Sequence, residues 1–206
     1  MSTSQLLLAA GLIVAAYLAG SVPFSYLVAR ARGVDLRKVG SGNIGGANVW
    51  RSSGFGPFVL AALLDMLKGM LPTMAALRLL PGHFAAIVLV GIAAIIGHTF
   101  PLFLGFKGGK AVATSGGVLL AIFPLLVLFG VAAWVVAFLI TPISSVGSLT
   151  AAATELVAGT LFYLGGRLPL AYVLFIWACA LFVVYLHREN IQRLLAGTEN
   201  RFTRLR

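Results

Sequence analysis

The sequence predicts an all-α integral membrane protein that crosses the bilayer several times. Of its 206 residues, 60% are apolar and only 10% are charged, and the mean hydropathy is +1.03. A soluble domain carries about 25% charged residues, and one of this size could not bury so large an apolar fraction. A water-soluble enzyme, a disordered tail and a fibrous repeat are therefore excluded. We expect one membrane domain over residues 1–206.

Three apolar runs are long enough to span a bilayer core, which requires about 20 residues. The first extends without interruption from Leu6 to Ala29, and since no basic flank precedes it, it predicts a retained helix rather than a signal peptide. Two more lie near residues 57–80 and 84–104. The Pro81-Gly82 pair between them predicts the turn of a helical hairpin.

The region from residue 111 to residue 186 carries only two charged side chains, Glu155 and Arg167. Both ends of this region are basic, so an even number of spans should connect them on one side of the membrane. Four short helices of about 15 to 19 residues fit this length. The predicted boundaries are Pro124 to Gly130, Thr141 to Ser148, and Gly165 to Pro169.

The basic residues predict the topology: seven short transmembrane helices, with the amino terminus outside and the carboxyl terminus in the cytoplasm. The predicted outside loops contain only Arg78 and Arg167, and Lys68 lies within a span. The other Lys and Arg residues fall in the predicted inside segments, at positions 30, 32, 37, 38, 51, 107, 110, 188, 193, 201, 204 and 206. This bias follows the enrichment of Lys and Arg on the cytoplasmic side.

The first polar cluster is the sequence Gly40-Ser41-Gly42-Asn43-Ile44-Gly45-Gly46-Ala47-Asn48, followed by Arg51. Closely spaced glycines allow successive backbone N–H groups to turn inward and form a concave anion site. Ser41, Asn43 and Asn48 add further donors. The alternative is a flexible cytoplasmic loop, because a glycine-rich segment alone is a weak signal.

The second cluster contains His98 and the segment Lys107-Gly108-Gly109-Lys110. The two lysines flank a glycine pair where a new helix should begin, so a phosphate could meet ammonium groups and unpaired N–H groups together. The alternative for Lys107 is anchoring at the membrane surface. The alternative for His98 is an interfacial histidine with no role in binding.

The third cluster begins at His187, and helical spacing places His187, Asn190 and Leu194 on one face. An imidazole and an amide would then point toward the loops. The alternative is an amphipathic helix on anionic lipid. Ser144 and Ser145 lie at another predicted inside turn, where they could donate hydroxyl groups or simply cap a helix.

Three charged residues, Asp65, Lys68 and Glu155, lie inside predicted spans, where a lone charge is costly. Asp65 and Lys68 are three residues apart and can pair on one helix. We favour a structural ion pair, with direct substrate contact by Lys68 as the alternative.

The pattern of the remaining residues indicates a site for phosphate groups. No His, Cys or carboxylate cluster has the spacing of metal ligands, and no Ser-His-Asp arrangement is evident. We therefore expect neither a metal nor another cofactor, and no nucleic acid partner. Two basic, glycine-rich loops could hold two phosphates.

Three motifs resemble the PlsY-type acyl-phosphate:glycerol-3-phosphate acyltransferases. They are Gly40-Ser41-Gly42-Asn43-Ile44-Gly45, the run from Gly97 to Thr114, and His187-Arg188-x-Asn190-Ile191-x-Arg193-Leu194. The resemblance implies a bacterial inner-membrane enzyme with its active site facing the cytoplasm. It implies transfer of a fatty acyl group from acyl phosphate to the 1-position of glycerol 3-phosphate, giving lysophosphatidic acid for phospholipid synthesis. It also implies that membrane lipids surround the protein and that a soluble enzyme, which supplies acyl phosphate, is its partner.

The resemblance also implies roles for individual residues. Arg51 and Lys110 hold the phosphate of glycerol 3-phosphate, and His187 and Asn190 orient that substrate. Ser41, Gly42, Asn43 and Gly45 cradle the acyl phosphate. Further substrate-binding positions are Asn48, Lys68, His98, Lys107, Gly108, Gly109, Ser144 and Ser145. No general base is evident, so the phosphate of the substrate or His187 takes the hydroxyl proton.

Two residues depart from the family pattern: Ala47 replaces the usual threonine and Ala111 the usual glycine. The first change removes one hydroxyl from the acyl-phosphate cradle. A transporter for a small organic phosphate is the rival function, but the outside loops are poor in polar residues and no internal repeat is evident. A phosphatidyl-transfer enzyme would need a carboxylate-bound metal.

Overall fold

The computed structural model describes residues 1–202, and this part of the chain is helical, with no strand. The all-α prediction is therefore confirmed for it. Two short 3₁₀ turns, Leu36–Lys38 and Leu102–Leu104, accompany the α-helices. The α-helices are α1 (Thr3–Ser21), α2 (Phe24–Arg30), α3 (Gly46–Ser53), α4 (Phe55–Leu79), α5 (Phe84–Thr99), α6 (Val112–Ile122), α7 (Pro124–Ile140), α8 (Ser144–Leu164), α9 (Leu170–Leu186) and α10 (Arg188–Leu195).

The helices include several that are long and apolar enough to cross a membrane. Within the described residues, four segments meet this criterion by length and composition, or five if the bent pair α9 and α10 is one span. Two shorter apolar helices, α6 and α7, lie between them. The chain is thus a multi-pass membrane protein, whereas the seven spans and their orientation remain predictions.

The first span differs from the uninterrupted helix predicted over Leu6 to Ala29. It breaks at Val22 and Pro23, between α1 and α2. Proline has no N–H to donate and disfavours helical geometry in the residue before it. The break leaves backbone carbonyls such as that of Val22 available to side chains.

The predicted helical hairpin is confirmed, since α4 and α5 are joined by a turn that contains Pro81 and Gly82. Four helices, α6 to α9, follow residue 111 as predicted, but α6 has 11 residues and α8 has 21, outside the expected length of about 15 to 19. Two expected boundaries were wrong in part, since residues 124–130 lie inside α7 and residues 144–148 lie inside α8. Only Phe123 separates α6 from α7, because a proline fits the first turn of a helix and Pro124 begins α7 directly.

The chain divides into two compact units, of which the first is residues 1–122 and the second begins at Phe123. In the first unit α1 packs on α5, and α4 packs on α6. Glycines permit these close approaches: a Cβ added at Gly97 would meet the backbone of Tyr17, and one at Gly117 the backbone of Met66. Small residues at such contacts are typical of membrane helices.

The second unit is built on α7, α8 and α9, which pack in that order. Here too glycines face large side chains, with Gly147 against Trp134 and Gly159 against Ile176. The end of the described chain returns to this unit. The N–H of Phe202 donates to the carbonyl of Pro142 at 2.9 Å, and its ring packs edge-on against Phe138.

Candidate active site

The first glycine-rich segment, residues 40–51, is shaped from within by Asn48. This side chain is only 1% exposed. Its Nδ2 lies 2.9 to 3.1 Å from the carbonyls of Leu36, Val39 and Asn43, and its Oδ1 accepts from the Ser41 N–H at 3.3 Å. Asn48 therefore closes the loop on itself, and the substrate contact predicted for it remains untested.

Gly40 and Gly42 allow the chain to turn around this amide. Both have positive φ, +57° and +70°, which an L side chain rarely adopts. A Cβ on Gly40 would also strike Oδ1 of Asn48. The glycine density that predicted an anion-binding loop thus corresponds to a tight turn around a buried amide.

The segment ends in the first turn of α3, which presents backbone donors. The N–H of Gly45 donates to Oδ1 of Asn43 at 2.8 Å. The N–H groups of Gly46 and Ala47 donate to no atom in the described part of the chain. Arg51 lies in the last turn of the same short helix. N–H groups at a helix start favour an anion.

The chain enters this segment through an ion pair between Asp35 and Arg37. Arg37 Nε and Nη2 donate to the two carboxylate oxygens at 2.9 and 2.8 Å. This contact lowers the pKa of Asp35 to about 2 and raises that of Arg37 above its usual range. Both side chains therefore stay charged across the physiological range, and Asp35 also accepts the Arg37 N–H that begins the 3₁₀ turn.

The second glycine-rich segment, Lys107 to Lys110, lies against the end of α5. The N–H of Gly108 donates to the Thr99 carbonyl at 3.0 Å, and that of Gly109 donates to the His98 carbonyl at 3.2 Å. A Cβ on Gly109 would overlap the His98 ring. Lys110 follows Gly109 directly in the chain. The side chain of Lys107 is exposed, which agrees with the alternative that Lys107 anchors the protein at the membrane surface.

The departure at Ala111 has a conformational consequence. Its φ is +58° although it is not a glycine, and it is almost fully buried. This conformation costs an L residue about 1–2 kcal/mol. The geometry explains why a glycine suits this position, and it turns the chain from Lys110 into α6, whose first N–H groups follow at Val112 and Ala113.

The two glycine-rich segments share one hydrophobic cluster. Leu36, Ile44 and Val49, around the first segment, are buried in this cluster, and Leu104, just before the second segment, packs against it. The first two predicted clusters therefore lie in the same unit, and the chain next to each of them contributes to one hydrophobic cluster.

Replacing Gly108 with alanine is expected to detach the second segment from α5. The added methyl group would overlap the carbonyls of both His98 and Thr99, which are backbone atoms and cannot rotate away. We expect a lower melting temperature in detergent and a strong loss of activity. Gly116→Ala is the matched control, because its Cβ would make only an ordinary contact with Met66. Wild-type behaviour of Gly108→Ala would contradict this geometry.

A buried polar network of Ser25, Asp65, Lys68 and His98 lies next to the second glycine-rich segment. The predicted ion pair is confirmed, with Lys68 Nζ at 2.8 Å from Asp65 Oδ1. Lys68 also donates to the Val22 carbonyl at 2.8 Å, and Ser25 donates to Asp65 Oδ2 at 2.6 Å. His98 Nδ1 lies 3.6 Å from Asp65 Oδ1. The Lys68 ammonium thus has protein partners, and its predicted substrate contact remains untested.

The second unit contains a separate polar cluster centred on Glu199. Its carboxylate is 5% exposed and pairs with Arg193 at 2.7 Å. It also accepts from Asn190 Nδ2 at 2.6 Å and from Ser145 Oγ at 3.1 Å. Two predicted site residues, Ser145 and Asn190, are therefore brought together by an acid that sequence reasoning left without a role. The available signal was its position five residues after the third motif, which contains the donors Asn190 and Arg193.

His187 and Ser144 lie at helix boundaries in the same unit. His187 follows α9, is buried, and has Nδ1 at 2.8 Å from the Val183 carbonyl. Since a carbonyl can only accept, Nδ1 carries the proton, and in the neutral ring the lone pair is on Nε2. Ser144 begins α8, and its carbonyl accepts from Ser148 Oγ at 3.0 Å.

Comparison with known proteins gives one consistent result. A family model described as glycerol-3-phosphate acyltransferase matches residues 10–197. A glycerol-3-phosphate acyltransferase of Roseiflexus sp. (strain RS-1) is 58% identical over 196 residues, which cover 94% of this chain and 95% of that protein. A protein of the same name from Aquifex aeolicus (strain VF5) is 40% identical, covering 93% and 97%.

Two solved structures are also similar along nearly the whole chain. They are crystal structures of PlsY (YgiH), described as an integral membrane glycerol 3-phosphate acyltransferase, in its glycerol 3-phosphate form and its lysophosphatidic acid form. The TM-scores are 0.87 and 0.86 at 39% and 38% identity. Each comparison covers 94% of this chain and 95% of the other.

Proposed function

Because the chain belongs to the glycerol-3-phosphate acyltransferase family, we propose that it transfers a fatty acyl group from acyl phosphate to the sn-1 hydroxyl of glycerol 3-phosphate. The products are lysophosphatidic acid and phosphate, which places the reaction in phospholipid synthesis. One observation carries the proposal: Ile44 and Val49 of the first glycine-rich segment are buried in one hydrophobic cluster, and Leu104, three residues before the second segment, packs against that cluster. The first segment contains the start of α3 and the second is followed by the start of α6, and helix starts favour anions.

The chemistry requires little more than positioning and charge compensation. Acyl phosphate is a mixed anhydride with a good leaving group. The glycerol oxygen attacks the acyl carbonyl carbon, a new ester C–O bond forms, and the bond from that carbon to the phosphate oxygen breaks. Bringing two anions together is the main obstacle, so cations and N–H donors supply the catalysis. No covalent acyl-enzyme is needed.

We assign phosphate binding to the two glycine-rich segments and the cations that they carry. Arg51 and Lys110 bind the phosphate of glycerol 3-phosphate, since a guanidinium and an ammonium give charge-assisted hydrogen bonds. Ser41, Gly42, Asn43 and Gly45 cradle the acyl phosphate and stabilise the departing phosphate. Asn48, His98, Lys68, Lys107, Gly108 and Gly109 remain further proposed binding positions, although Asn48 and Lys68 also have structural contacts in the protein.

We assign the orientation of glycerol 3-phosphate to His187 and Asn190, with Ser144 and Ser145 as further donors. Glu199 holds Asn190 and Ser145 in place. The hydroxyl proton goes either to the phosphate of the substrate or to Nε2 of His187. The tautomer fixed by the Val183 carbonyl makes this imidazole able to accept a proton.

We further propose seven spans in the bacterial inner membrane, with the amino terminus outside and the site facing the cytoplasm, where a soluble enzyme supplies acyl phosphate. Single cysteines in a Cys179→Ala background test this with a membrane-impermeant maleimide on spheroplasts. Arg78→Cys should be labelled, while Arg32→Cys and Thr198→Cys should react only after permeabilisation. All three positions are exposed. Labelling of Arg32→Cys in intact spheroplasts would contradict this orientation.

The reaction itself is tested with detergent-purified protein and glycerol 3-phosphate, in the presence of a metal chelator. Acyl phosphate and acyl-CoA of the same chain length are supplied in parallel, and lysophosphatidic acid is measured by mass spectrometry. We expect product from acyl phosphate alone. Product from acyl-CoA at an equal rate would contradict the proposed donor.

A further inference from the structure

We propose that Asp65 is a positioning residue for the segment that carries Lys110, and that it acts through the imidazole of His98. The inference rests on the proposed function, in which Lys110 binds the phosphate of glycerol 3-phosphate. It assigns a task to a buried acid that does not itself contact substrate.

The four polar side chains of this network come from three different helices and are all buried. Ser25 on α2, Asp65 and Lys68 on α4, and His98 on α5 are 2%, 3%, 5% and 8% exposed. Charged groups in a membrane-spanning helix are costly, and they typically have a partner and a function. An ion pair alone would satisfy Asp65 and Lys68, but it would not require the histidine.

The carboxylate is held firmly on one side. Ser25 donates to Oδ2 at 2.6 Å, and Lys68 reaches Oδ1 at 2.8 Å. Lys68 is itself fixed by the carbonyl of Val22, which the break between α1 and α2 makes available. Asp65 is therefore a rigid negative charge at a defined point between three helices.

His98 connects this charge to the glycine segment. Its Nδ1 is 3.6 Å from Asp65 Oδ1, a distance longer than a hydrogen bond but still a close electrostatic contact. The opposite edge of the ring, with Nε2, lies so close to Gly109 that no Cβ would fit there. The carboxylate thus favours the ring orientation with Nδ1 toward Asp65, and the ring supports the backbone next to Lys110.

The backbone completes the link, because the carbonyls of His98 and Thr99 accept the N–H groups of Gly109 and Gly108. A rotation of the imidazole would push directly on Gly109 and shift Lys110. Since a displacement of about 1 Å can cost about a hundredfold in rate, the orientation of His98 should matter for substrate binding.

Steady-state kinetics of the full-length enzyme in detergent test this role. We expect Asp65→Asn to raise the KM for glycerol 3-phosphate about tenfold, while the KM for acyl phosphate changes less than twofold. A loss of folded protein would lower the apparent kcat and leave both KM values unchanged, so the two effects are distinguishable.

The double variant Asp65→Asn/Lys68→Met removes the uncompensated lysine charge that would remain in the single variant. Replacing both members of a buried ion pair by neutral groups of similar size often preserves stability. Because Lys68 is itself a proposed binding position, this variant measures stability: we expect a melting temperature close to that of the wild type, which would show that the raised KM of Asp65→Asn does not come from a damaged fold. A wild-type KM for glycerol 3-phosphate in the double variant would show that the network is only structural and would overturn the inference.

Thr73→Val provides the matched control on α4. Thr73 is fully buried and donates to the Gly69 carbonyl, yet it lies outside the network. The Thr73→Val variant should therefore have the wild-type KM for both substrates. Absence of lysophosphatidic acid with the wild type would refute the proposed function, and with it this role. An active wild type with an unchanged KM in both Asp65 variants would refute the positioning role alone.

Discussion

Alanine in place of Arg51 or Lys110 is expected to lower kcat/KM for glycerol 3-phosphate by about 30-fold to about 4,000-fold. Removing one member of a desolvated, hydrogen-bonded charge pair costs about 2–5 kcal/mol, and about 1.4 kcal/mol corresponds to a factor of ten. Arg51 lies in the last turn of the short helix α3, and Lys110 lies two residues before α6 begins. The measurement is initial-rate kinetics with each substrate varied in turn.

The variants Arg51→Lys and Arg32→Ala serve as controls for this prediction. Arg51→Lys keeps the charge but loses the planar fork of donors, so we expect an intermediate rate. Arg32 is exposed at the end of α2, outside the site, and Arg32→Ala should retain full activity. Full activity of folded Arg51→Ala or Lys110→Ala would contradict the assigned phosphate site.

The Glu199→Ala variant is expected to lose both stability and substrate affinity. The carboxylate is nearly buried and accepts from three residues, Ser145, Asn190 and Arg193. Removing a buried member of such a cluster costs about 3–5 kcal/mol, and the partial exposure of Arg193 reduces this to about 2–3 kcal/mol. We expect a clearly lower melting temperature and a higher KM for glycerol 3-phosphate, because Asn190 loses its acceptor.

The exposed acid Glu189 on α10 gives the matched control. Glu189→Ala removes a carboxylate from the same region without breaking a buried contact, so its stability and kinetics should resemble the wild type. The Glu199→Gln variant keeps an acceptor oxygen and should lie between wild type and Glu199→Ala. Equal melting temperatures for Glu199→Ala and Glu189→Ala would show that the cluster contributes no stability.

Much of the helical architecture could be predicted from the sequence, because apolar runs and turn residues act locally. The hairpin of α4 and α5 follows directly from two apolar runs and a Pro-Gly pair. The break at Val22 was not predicted, because hydropathy stays high through Pro23 although the helix is interrupted there. At 11 residues, α6 is shorter than the predicted span, because Phe123 interrupts the helix before Pro124 begins α7.

The contacts within the candidate site could not be predicted from the sequence. Glycine density predicted an anion-binding loop, whereas in the structure Gly40 and Gly42, both with positive φ, turn the chain around the buried Asn48 amide. The sequence could not show that Asn48 binds its own loop, or that Glu199 reaches Ser145 across 54 positions. Such contacts depend on how helices pack, so neither periodicity nor motif spacing contains them.

The most direct test of the account measures phosphate release and lysophosphatidic acid together in one reaction. Purified wild-type protein receives acyl phosphate with and without glycerol 3-phosphate, with Arg51→Ala as the parallel sample. We expect one phosphate to be released per lysophosphatidic acid formed. Phosphate release should depend on glycerol 3-phosphate, and Arg51→Ala should form almost none of either product. Equal phosphate release without glycerol 3-phosphate, or undiminished coupled release by Arg51→Ala, would contradict the account.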